Sequence, residues 1–206
     1  AQPLDMVDTC LCMGAGITAA QGITRGEKGV KTFAFIGDST FFHTGIPGVI
    51  NALYNGTHIT VVVLDNSTTA MTGHQPHPGT GMTMMGDVAQ KISIEKILRA
   101  IGVEDIQVVD PLNLQAAIAA AVHCAETPGV TAIIYQSPCV AVVKQGKSLS
   151  VNPEKCTGCK KCIRELGCPA MMKNGKQVEI NPTLCNGCNL CQSVCPADAI
   201  EGSVEK

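Results

Sequence analysis

Short apolar runs rich in β-branched residues alternate with amphipathic segments over the first two thirds of the chain. A continuous run such as 59–65 is typical of a strand in a parallel sheet that helices cover on both faces. Strands are predicted at 31–36, 59–65, 108–109 and 130–135, and helices at 10–23, 46–54, 94–101 and 110–126. This alternation predicts an α/β fold with a parallel sheet.

Local signals define several boundaries of these helices. Ser93 precedes the third helix as its cap, and Gly102 follows that helix as a stop. Pro47 fits the first turn of the second helix, and Asp110 followed by Pro111 predicts the start of the fourth. Residues 67–85 have no period and are rich in Thr and Gly. A loop of this length inside a compact domain is usually functional.

Cysteine usage divides the chain into two parts. Eight of the 12 cysteines follow residue 155, whereas the preceding part is rich in small and β-branched residues. The polar stretch 144–150 is the natural linker. We therefore predict two domains, 1–148 and 149–206.

The cysteines of the second part form two similar runs, and each run begins with Asn-Pro and ends with Cys-Pro. The runs are Cys156, Cys159, Cys162 and Cys168, and then Cys185, Cys188, Cys191 and Cys195. In the bacterial two-cluster pattern the last cysteine of each run binds the other cluster. One [4Fe–4S] cluster is thus assigned to Cys156, Cys159, Cys162 and Cys195, and the other to Cys185, Cys188, Cys191 and Cys168.

Zinc and disulfides are the alternatives to iron–sulfur clusters. Zinc sites use pairs of ligands, commonly with histidine, and no histidine follows His123. Disulfides require an oxidising compartment, and no signal peptide is recognisable. Five residues separate Cys162 from Cys168, against three in the second run and in the usual spacing. We expect the longer gap to form a loop beside the second cluster, or else to displace Cys168.

Polar side chains follow the first two predicted strands of the first domain. Asp38 comes after Gly37 at the end of one strand, and Asn66 comes after Asp65 at the end of the next. Ligands bind beyond the carboxyl ends of parallel strands. Two oxygen ligands at this edge suit Mg²⁺, and the nearby glycines and helix N-terminus suit a diphosphate.

The motif Gly37-Asp38-Ser39, followed by a strand and Asp65-Asn66, resembles the Gly-Asp-Gly…Asn-Asn signature of thiamine diphosphate enzymes. The segment Thr72-Gly73-His74-Gln75 resembles the 2-oxoacid:ferredoxin oxidoreductases, and within them the large subunits that act on indolepyruvate. The resemblance covers essentially the whole chain. It implies a thiamine-diphosphate-binding parallel-sheet domain followed by a small two-cluster ferredoxin domain of the bacterial type.

The resemblance also implies roles for particular residues. Asp38 and Asn66 are expected to bind Mg²⁺ through their side chains and Thr68 through its carbonyl, while Gly37 and Ser39 line the diphosphate. Ser39 stands where the signature has Gly, and Asp65 where it has its first Asn. In related enzymes a cysteine in the position of Cys139 helps to bind a third cluster. Cys139 is therefore a candidate ligand of a third cluster, and a small residue at a strand end is the alternative.

Three side chains near this edge are candidates for catalysis. His43 follows the Asp38 turn, and proton transfer or substrate orientation is weighed against a solvent-exposed loop position. His74 and Gln75 lie in the long loop, where either His74 or His77 is expected to face cofactor or substrate.

The expected function is CoA-dependent oxidative decarboxylation of 2-oxoacids, in particular arylpyruvates such as indolepyruvate, with electrons passing to ferredoxin. In the family a second domain completes the thiamine site, so we expect partners in that pyrimidine-half domain and in a second subunit of the enzyme. Pyruvate or 2-oxoglutarate as substrate, or a non-catalytic electron-transfer subunit, are the alternatives.

Charge and hydropathy exclude other classes of partner. The formal net charge is −2 with no basic cluster, which argues against nucleic acid. No run of about 18 uncharged apolar residues is present, so we expect no membrane span. Oxygen-sensitive clusters predict the cytoplasm of an anaerobe.

Overall fold

The computed structural model describes residues 4–144 and 146–202. The chain divides into two units, one of Thr9–Val142 and one that combines Ala1–Asp8 with Val143–Lys206. The division falls a few residues before the predicted boundary near residue 149, and the limits of the two predicted domains stay a prediction.

Four parallel strands form the sheet of the first unit. They are β1 Thr32–Gly37, β2 Ile59–Asp65, β3 Ile106–Val109 and β4 Thr131–Gln136, in the order β1-β2-β4-β3. In the register, Ile36 lies beside Val63, and Val63 beside Ile134. The predicted parallel α/β fold is therefore confirmed.

Five α-helices accompany these strands in the described part of the first unit. They are α1 Ala15–Gly26, α2 Asp38–Thr40, α3 Ile46–Tyr54, α4 Ile94–Ala100 and α5 Leu114–Glu126. A π-helical segment, Phe41–Gly45, joins α2 to α3, and a 3₁₀ turn spans Ala70–Thr72.

Helix α3 begins at Ile46 with Pro47 in its first turn and ends at Tyr54, so this predicted helix is confirmed. Helical backbone also precedes it, because α2 starts at Asp38 directly after β1 and the π-helical segment continues to Gly45. Pro47 cannot donate a backbone N–H, and the wider π turn directly before it lets the helical path continue through that position.

The predicted starts of two other helices are wrong. Helix α1 was expected from residue 10, but Gly14 has a φ of +83°, and a Cβ there would lie 2.1 Å from the Thr44 hydroxyl oxygen. Helix α5 was expected to open at Asp110, but the Asn113 side chain caps it by accepting from the Ala116 N–H at 3.2 Å. The predicted Ser93 cap is confirmed, since its hydroxyl accepts from the Lys96 N–H at 3.2 Å.

Apolar side chains cover both faces of the sheet. One face packs against α1, α3 and α4 through Ala34, Ile36, Val61, Val63, Ala132 and Ile134. On the other face Val62 and Ile133 pack against Ala120 and Cys124 of α5. This two-sided burial explains why β2 is a continuous apolar run.

The second unit consists of short elements. Strand β5 Ser150–Val151 pairs antiparallel with β8 Ile200–Glu201, and β6 Met171–Asn174 pairs antiparallel with β7 Gln177–Ile180. Its helices are α6 Lys161–Leu166 and α7 Leu190–Ser193. Among the described residues, no helix of the chain has the length and apolar character needed to cross a bilayer.

Candidate functional site

The carboxylate of Asp38 is buried at the carboxyl edge of the sheet, where β1 turns into α2. Only 2% of the residue is exposed. Its Oδ1 accepts from its neighbour Ser39 N–H at 2.7 Å, and its Oδ2 accepts from the Ser67 N–H at 2.8 Å. Both oxygens are therefore held by backbone donors from the ends of two adjacent strands.

The electrostatics of this position favour a bound cation. Burial raises the pKa of the Asp38 carboxyl, although the Ser39 N–H and the His77 ring act in the opposite direction. Asp65 adds to the upward shift. A positive charge beside the carboxylate would stabilise its ionised form and offset the cost of burial.

The loop after β2 brings the other predicted magnesium ligands to the same edge. The Asn66 side-chain oxygen accepts from the Thr68 N–H at 3.1 Å, and Thr68 is 4% exposed. Ser67, between them, has a φ of +60°, and its N–H reaches Asp38. The hydrogen bond from Ser67 to Asp38 thus brings Asn66 and Thr68, the other residues predicted to bind Mg²⁺, close to Asp38.

Gly37 and Ser39, the predicted diphosphate residues, flank Asp38. Gly37 is exposed, and a Cβ at this position would meet no atom within 4 Å, so open space lies over the backbone of Gly37. The Ser39 hydroxyl oxygen accepts from the Thr69 hydroxyl at 2.9 Å. The serine that replaces the signature glycine therefore holds the loop after β2.

Two of the three candidates for catalysis are exposed, and the third bonds to a residue of its own loop. His43 and His74 are exposed. The Gln75 side chain bonds to Thr72, whose hydroxyl donates to its Oε1 at 2.6 Å. Their catalytic role stays a prediction.

His74 and His77 were the two loop histidines expected to face the site, and only His74 was named as a catalytic candidate, but His77 is the one that contacts Asp38. His77 is 8% exposed, and its Nε2 lies 3.1 Å from Asp38 Oδ2. The available signal was its position between Pro76 and Pro78, since each proline fixes its own φ and restricts the backbone around His77.

In the second unit, the first predicted set of cysteines surrounds one cavity. Its lining includes Cys156, Cys159, Cys162 and Cys195. Cys162 is buried, and burial raises the pKa of its thiol, with Cys195 and Cys159 adding to the shift. The Lys161 N–H instead holds the pKa of the exposed Cys159 thiol below its ordinary value. Three cysteines of one run and the last of the other therefore meet.

The second predicted set meets around Cys191. Burial raises the pKa of the Cys191 thiol to about 12, and charge repulsion from Cys188, Cys168 and Cys185 contributes to the increase. Cys168 therefore lies with the second run despite the longer gap before it. Helix α6 extends through most of that gap to Leu166, and Gly167 follows it with a φ of +58°.

The two cysteine runs have the same local geometry. In each run the Asn of the Asn-Pro pair accepts, through its backbone carbonyl, the N–H of the first cysteine, Cys156 at 3.0 Å and Cys185 at 3.1 Å. Gly158 and Gly187 precede the second cysteines with φ values of +71° and +75°. The sequence repeat is therefore also a structural repeat.

The remaining cysteines differ among themselves. Cys10 and Cys12 are exposed, and Cys124 is buried in α5. The Cys139 N–H donates to the Asn66 carbonyl at 2.9 Å, which puts Cys139 beside the predicted magnesium loop. Within residues 4–144 and 146–202, no three His, Cys, Asp or Glu side chains converge on one metal ion. In a cubane cluster, by contrast, each thiolate binds its own iron atom.

A family model described as thiamine pyrophosphate enzyme, C-terminal TPP binding domain, matches residues 1–135. The chain belongs to the thiamine pyrophosphate enzyme family. Two models described as 4Fe-4S binding domain match residues 153–171 and 178–201 of this family member. The predicted thiamine diphosphate and [4Fe–4S] cofactors are confirmed at the level of these domains.

Curated relatives of this thiamine pyrophosphate family member are named indolepyruvate oxidoreductase subunit IorA. The chain is 43% identical over 201 residues to the one from Methanothermobacter thermautotrophicus, with 97% of the chain and 32% of the relative covered. It is 41% identical over 206 residues to the one from Archaeoglobus fulgidus, with 97% of the chain and 33% of the relative covered. The chain thus spans about a third of the length of these relatives, and the resemblance to the 2-oxoacid:ferredoxin oxidoreductases is confirmed.

A solved structure has the same fold over much of the chain. It is a 2-oxoglutarate:ferredoxin oxidoreductase from Magnetococcus marinus with 2-oxoglutarate, coenzyme A and succinyl-CoA bound. The TM-score is 0.53 at 17% identity, over 61% of this chain and 45% of that one. At this identity the match shows the fold alone.

Proposed function

We propose that the chain is part of a CoA-dependent oxidative decarboxylase of 2-oxoacids, in particular arylpyruvates such as indolepyruvate, which passes electrons through two [4Fe–4S] clusters to ferredoxin. The observation that carries the proposal is the buried Asp38 carboxylate, held by backbone donors at the carboxyl edge of the sheet. The names of the curated relatives support the choice of substrate.

The residues at the sheet edge fit Mg²⁺ and a diphosphate. Asp38 and the Asn66 side chain supply hard oxygen ligands of the kind that Mg²⁺ prefers, and the Thr68 carbonyl is the third. The open space over Gly37 allows an anionic group to approach the backbone beside Ser39. When bound, thiamine diphosphate supplies the electron sink for decarboxylation.

The role of this chain at that site is binding and orientation. Ser39 and Ser67 hold the Asp38 carboxylate through their N–H groups, so that the metal ligand is already in place before the cation arrives. A ligand that needs no rearrangement loses less conformational entropy on binding. The pyrimidine-half domain and a second subunit are proposed to complete the site.

The eight cysteines fit two clusters. Each quartet contains three thiols of one run and one of the other, and thiolates are the ligands of [4Fe–4S] clusters. When bound, the clusters accept and release single electrons. We place the enzyme in the cytoplasm of an anaerobe, since reduced thiols and oxygen-sensitive clusters require such an environment.

The test is a composition and substrate assay of the complete enzyme, prepared without oxygen. We expect iron, sulfide, Mg²⁺ and thiamine diphosphate in the wild type, and loss of thiamine diphosphate but retention of iron in Asp38→Ala. CoA-dependent dye reduction should be faster with arylpyruvates than with pyruvate or 2-oxoglutarate. A faster rate with pyruvate or 2-oxoglutarate would reject arylpyruvates as the substrate class. Full thiamine diphosphate binding by Asp38→Ala would reject the proposed cofactor site.

A further inference from the structure

We propose that His77 is a positioning residue that orients the Asp38 carboxylate for the metal ion of the thiamine diphosphate site. The inference rests on the proposed function, because it takes Asp38 to be a metal ligand. It assigns to the long loop after β2 a task at the cofactor site that neither the family motif nor the predicted catalytic residues include.

The first support is the orientation of the imidazole ring. The Gly79 N–H donates to His77 Nδ1 at 3.1 Å, so Nδ1 presents a lone pair to that donor. The proton of the ring is then on Nε2, which lies 3.1 Å from Asp38 Oδ2. A donor aimed at one carboxylate oxygen fixes which lone pairs remain for a cation.

The second support is that the loop is built to hold this ring. The Thr80 hydroxyl donates to the His77 carbonyl at 2.8 Å, and the Thr80 N–H donates to the same carbonyl at 2.9 Å. The ring of Phe42, in the π-helical segment after α2, lies 5.7 Å from the imidazole, centroid to centroid. Hydrogen bonds and ring packing therefore restrict His77 from both sides.

The third support is the space around Gly79. A Cβ at this position would lie 3.1 Å from the His77 ring and 3.0 Å from the Phe42 ring. The φ of Gly79 is not in the left-handed region, so its backbone would accept alanine. The glycine is thus required by the close approach to His77 rather than by its own conformation.

Three N–H donors contact the Asp38 carboxylate, and the Asp65 carboxyl lies beside it as well. Ser39 donates to Oδ1, and Ser67 and His77 donate to Oδ2. The two serine donors follow from the strand ends, whereas His77 comes from a loop ten residues further along the chain. His77 therefore couples the position of that loop to the geometry of the metal ligand.

The test measures metal affinity in the complete enzyme with Mn²⁺, which accepts the same oxygen ligands as Mg²⁺. After removal of bound metal, Mn²⁺ is titrated in excess thiamine diphosphate, and free Mn²⁺ is followed by electron paramagnetic resonance. We expect His77→Leu to weaken Mn²⁺ binding by about 10- to 100-fold, the usual effect of losing an outer-shell partner. His77→Gln, which retains a side-chain N–H, should recover most of the affinity.

Two further variants test whether a loss of Mn²⁺ affinity comes from the His77 contact or from general misfolding. Gly79→Ala keeps every polar group but pushes on the ring, and it should weaken Mn²⁺ binding less than His77→Leu does. His58→Leu is the matched control, because His58 Nδ1 also accepts a backbone N–H, from Gly129 at 2.9 Å, but at the opposite end of β2. It should leave Mn²⁺ affinity unchanged.

The outcomes separate this inference from the proposed function. If Asp38→Asn abolishes Mn²⁺ binding while His77→Leu retains it, the role of His77 is rejected and the metal site stands. If Asp38→Asn binds Mn²⁺ as tightly as the wild type, the site itself is rejected and the inference with it. A glutamine variant that is no better than leucine would show that His77 acts by packing alone and would also overturn the inference.

Discussion

The backbone N–H of Asn152 donates to the carbonyl of Ala199 at 2.7 Å. This bond connects the start of the first cysteine run to the residues that follow Cys195 at the end of the second. Its counterpart is the bond from the Asn181 N–H to the Ala170 carbonyl at 2.8 Å, just after Cys168. Main-chain hydrogen bonds therefore join the start of each run to the end of the other, in the same crossed pattern as the predicted cluster ligands.

The crossing predicts which cysteines act together. Cys195→Ala and Cys159→Ala should each remove the same cluster and lower the iron content from about eight to about four atoms per chain. The double variant Cys159→Ala/Cys195→Ala should lose no more iron than either single variant. By contrast, Cys188→Ala/Cys195→Ala should lose both clusters. Iron and sulfide analysis after oxygen-free purification measures each case.

The exposed Cys12 provides the control for this series. Cys12→Ala should retain all the iron. If Cys195→Ala and Cys188→Ala proved to affect one and the same cluster, each run would bind its own cluster and the crossed assignment would be wrong.

Gly158, in the loop of the first cysteine run, has no room for a side chain. Gly158 has a φ of +71°, and a Cβ there would lie 2.3 Å from the Lys176 carbonyl oxygen. Gly175 has a φ of +58°, but a Cβ there would meet no atom within 4 Å. Gly175→Ala should therefore cost only the backbone strain, about 1–2 kcal/mol.

Gly158→Ala should cost more than Gly175→Ala, since the loop must move as well as adopt a strained conformation. We expect loss of iron from the cluster of the first run in Gly158→Ala and retention of iron in Gly175→Ala. The rate of iron release in chelator measures the difference. Equal rates for the two variants would mean that the clash with Lys176 is relieved by a small shift of the β6–β7 turn.

The parallel sheet and the paired cysteine runs could be predicted because their signals are local. The β-branched run of β2 and the Ser93 cap act through neighbouring residues, and the structure agrees with both. The start of α1 depends instead on the approach of Gly14 to Thr44, thirty residues away. No periodicity in the sequence contains such a contact.

The candidate site divides in the same way. Asp38 and Asn66 could be found because strand ends converge at one edge of a parallel sheet. His77 could not be distinguished from His74 by residue type or by loop length. Their difference lies in the turn made by His77 and Thr80 and in the packing against Phe42, which are tertiary contacts.

A buried pair of hydroxyls in the middle of the sheet leads to a third prediction. Thr60 and Thr131 are fully buried neighbours on β2 and β4, and their hydroxyl oxygens are 2.9 Å apart. Replacing either one with the isosteric valine leaves the other hydroxyl without this partner, which should cost about 1–3 kcal/mol. The double variant Thr60→Val/Thr131→Val should cost less than the sum.

Native-state hydrogen exchange of the β2 amides measures these free energies, because a chain of two units need not unfold in one step. Additive effects would contradict the prediction. They would show that Cys124 satisfies both hydroxyls independently, through its carbonyl for Thr60, at 3.4 Å, and through its thiol for Thr131.

The last prediction concerns the serine that replaces a glycine of the thiamine diphosphate signature. The Ser39 hydroxyl accepts from Thr69, and this bond holds the loop that carries Asn66 and Thr68. Ser39→Ala should therefore weaken thiamine diphosphate binding in the complete enzyme by about fivefold, the equivalent of one neutral hydrogen bond of about 1 kcal/mol. Ser67→Ala is the matched control. Ser67 is exposed and contacts Asp38 through its backbone N–H, which alanine retains. Calorimetric titration of the metal-saturated enzyme with thiamine diphosphate compares the two variants. Equal affinities would show that the loop keeps its position without the Ser39 hydroxyl.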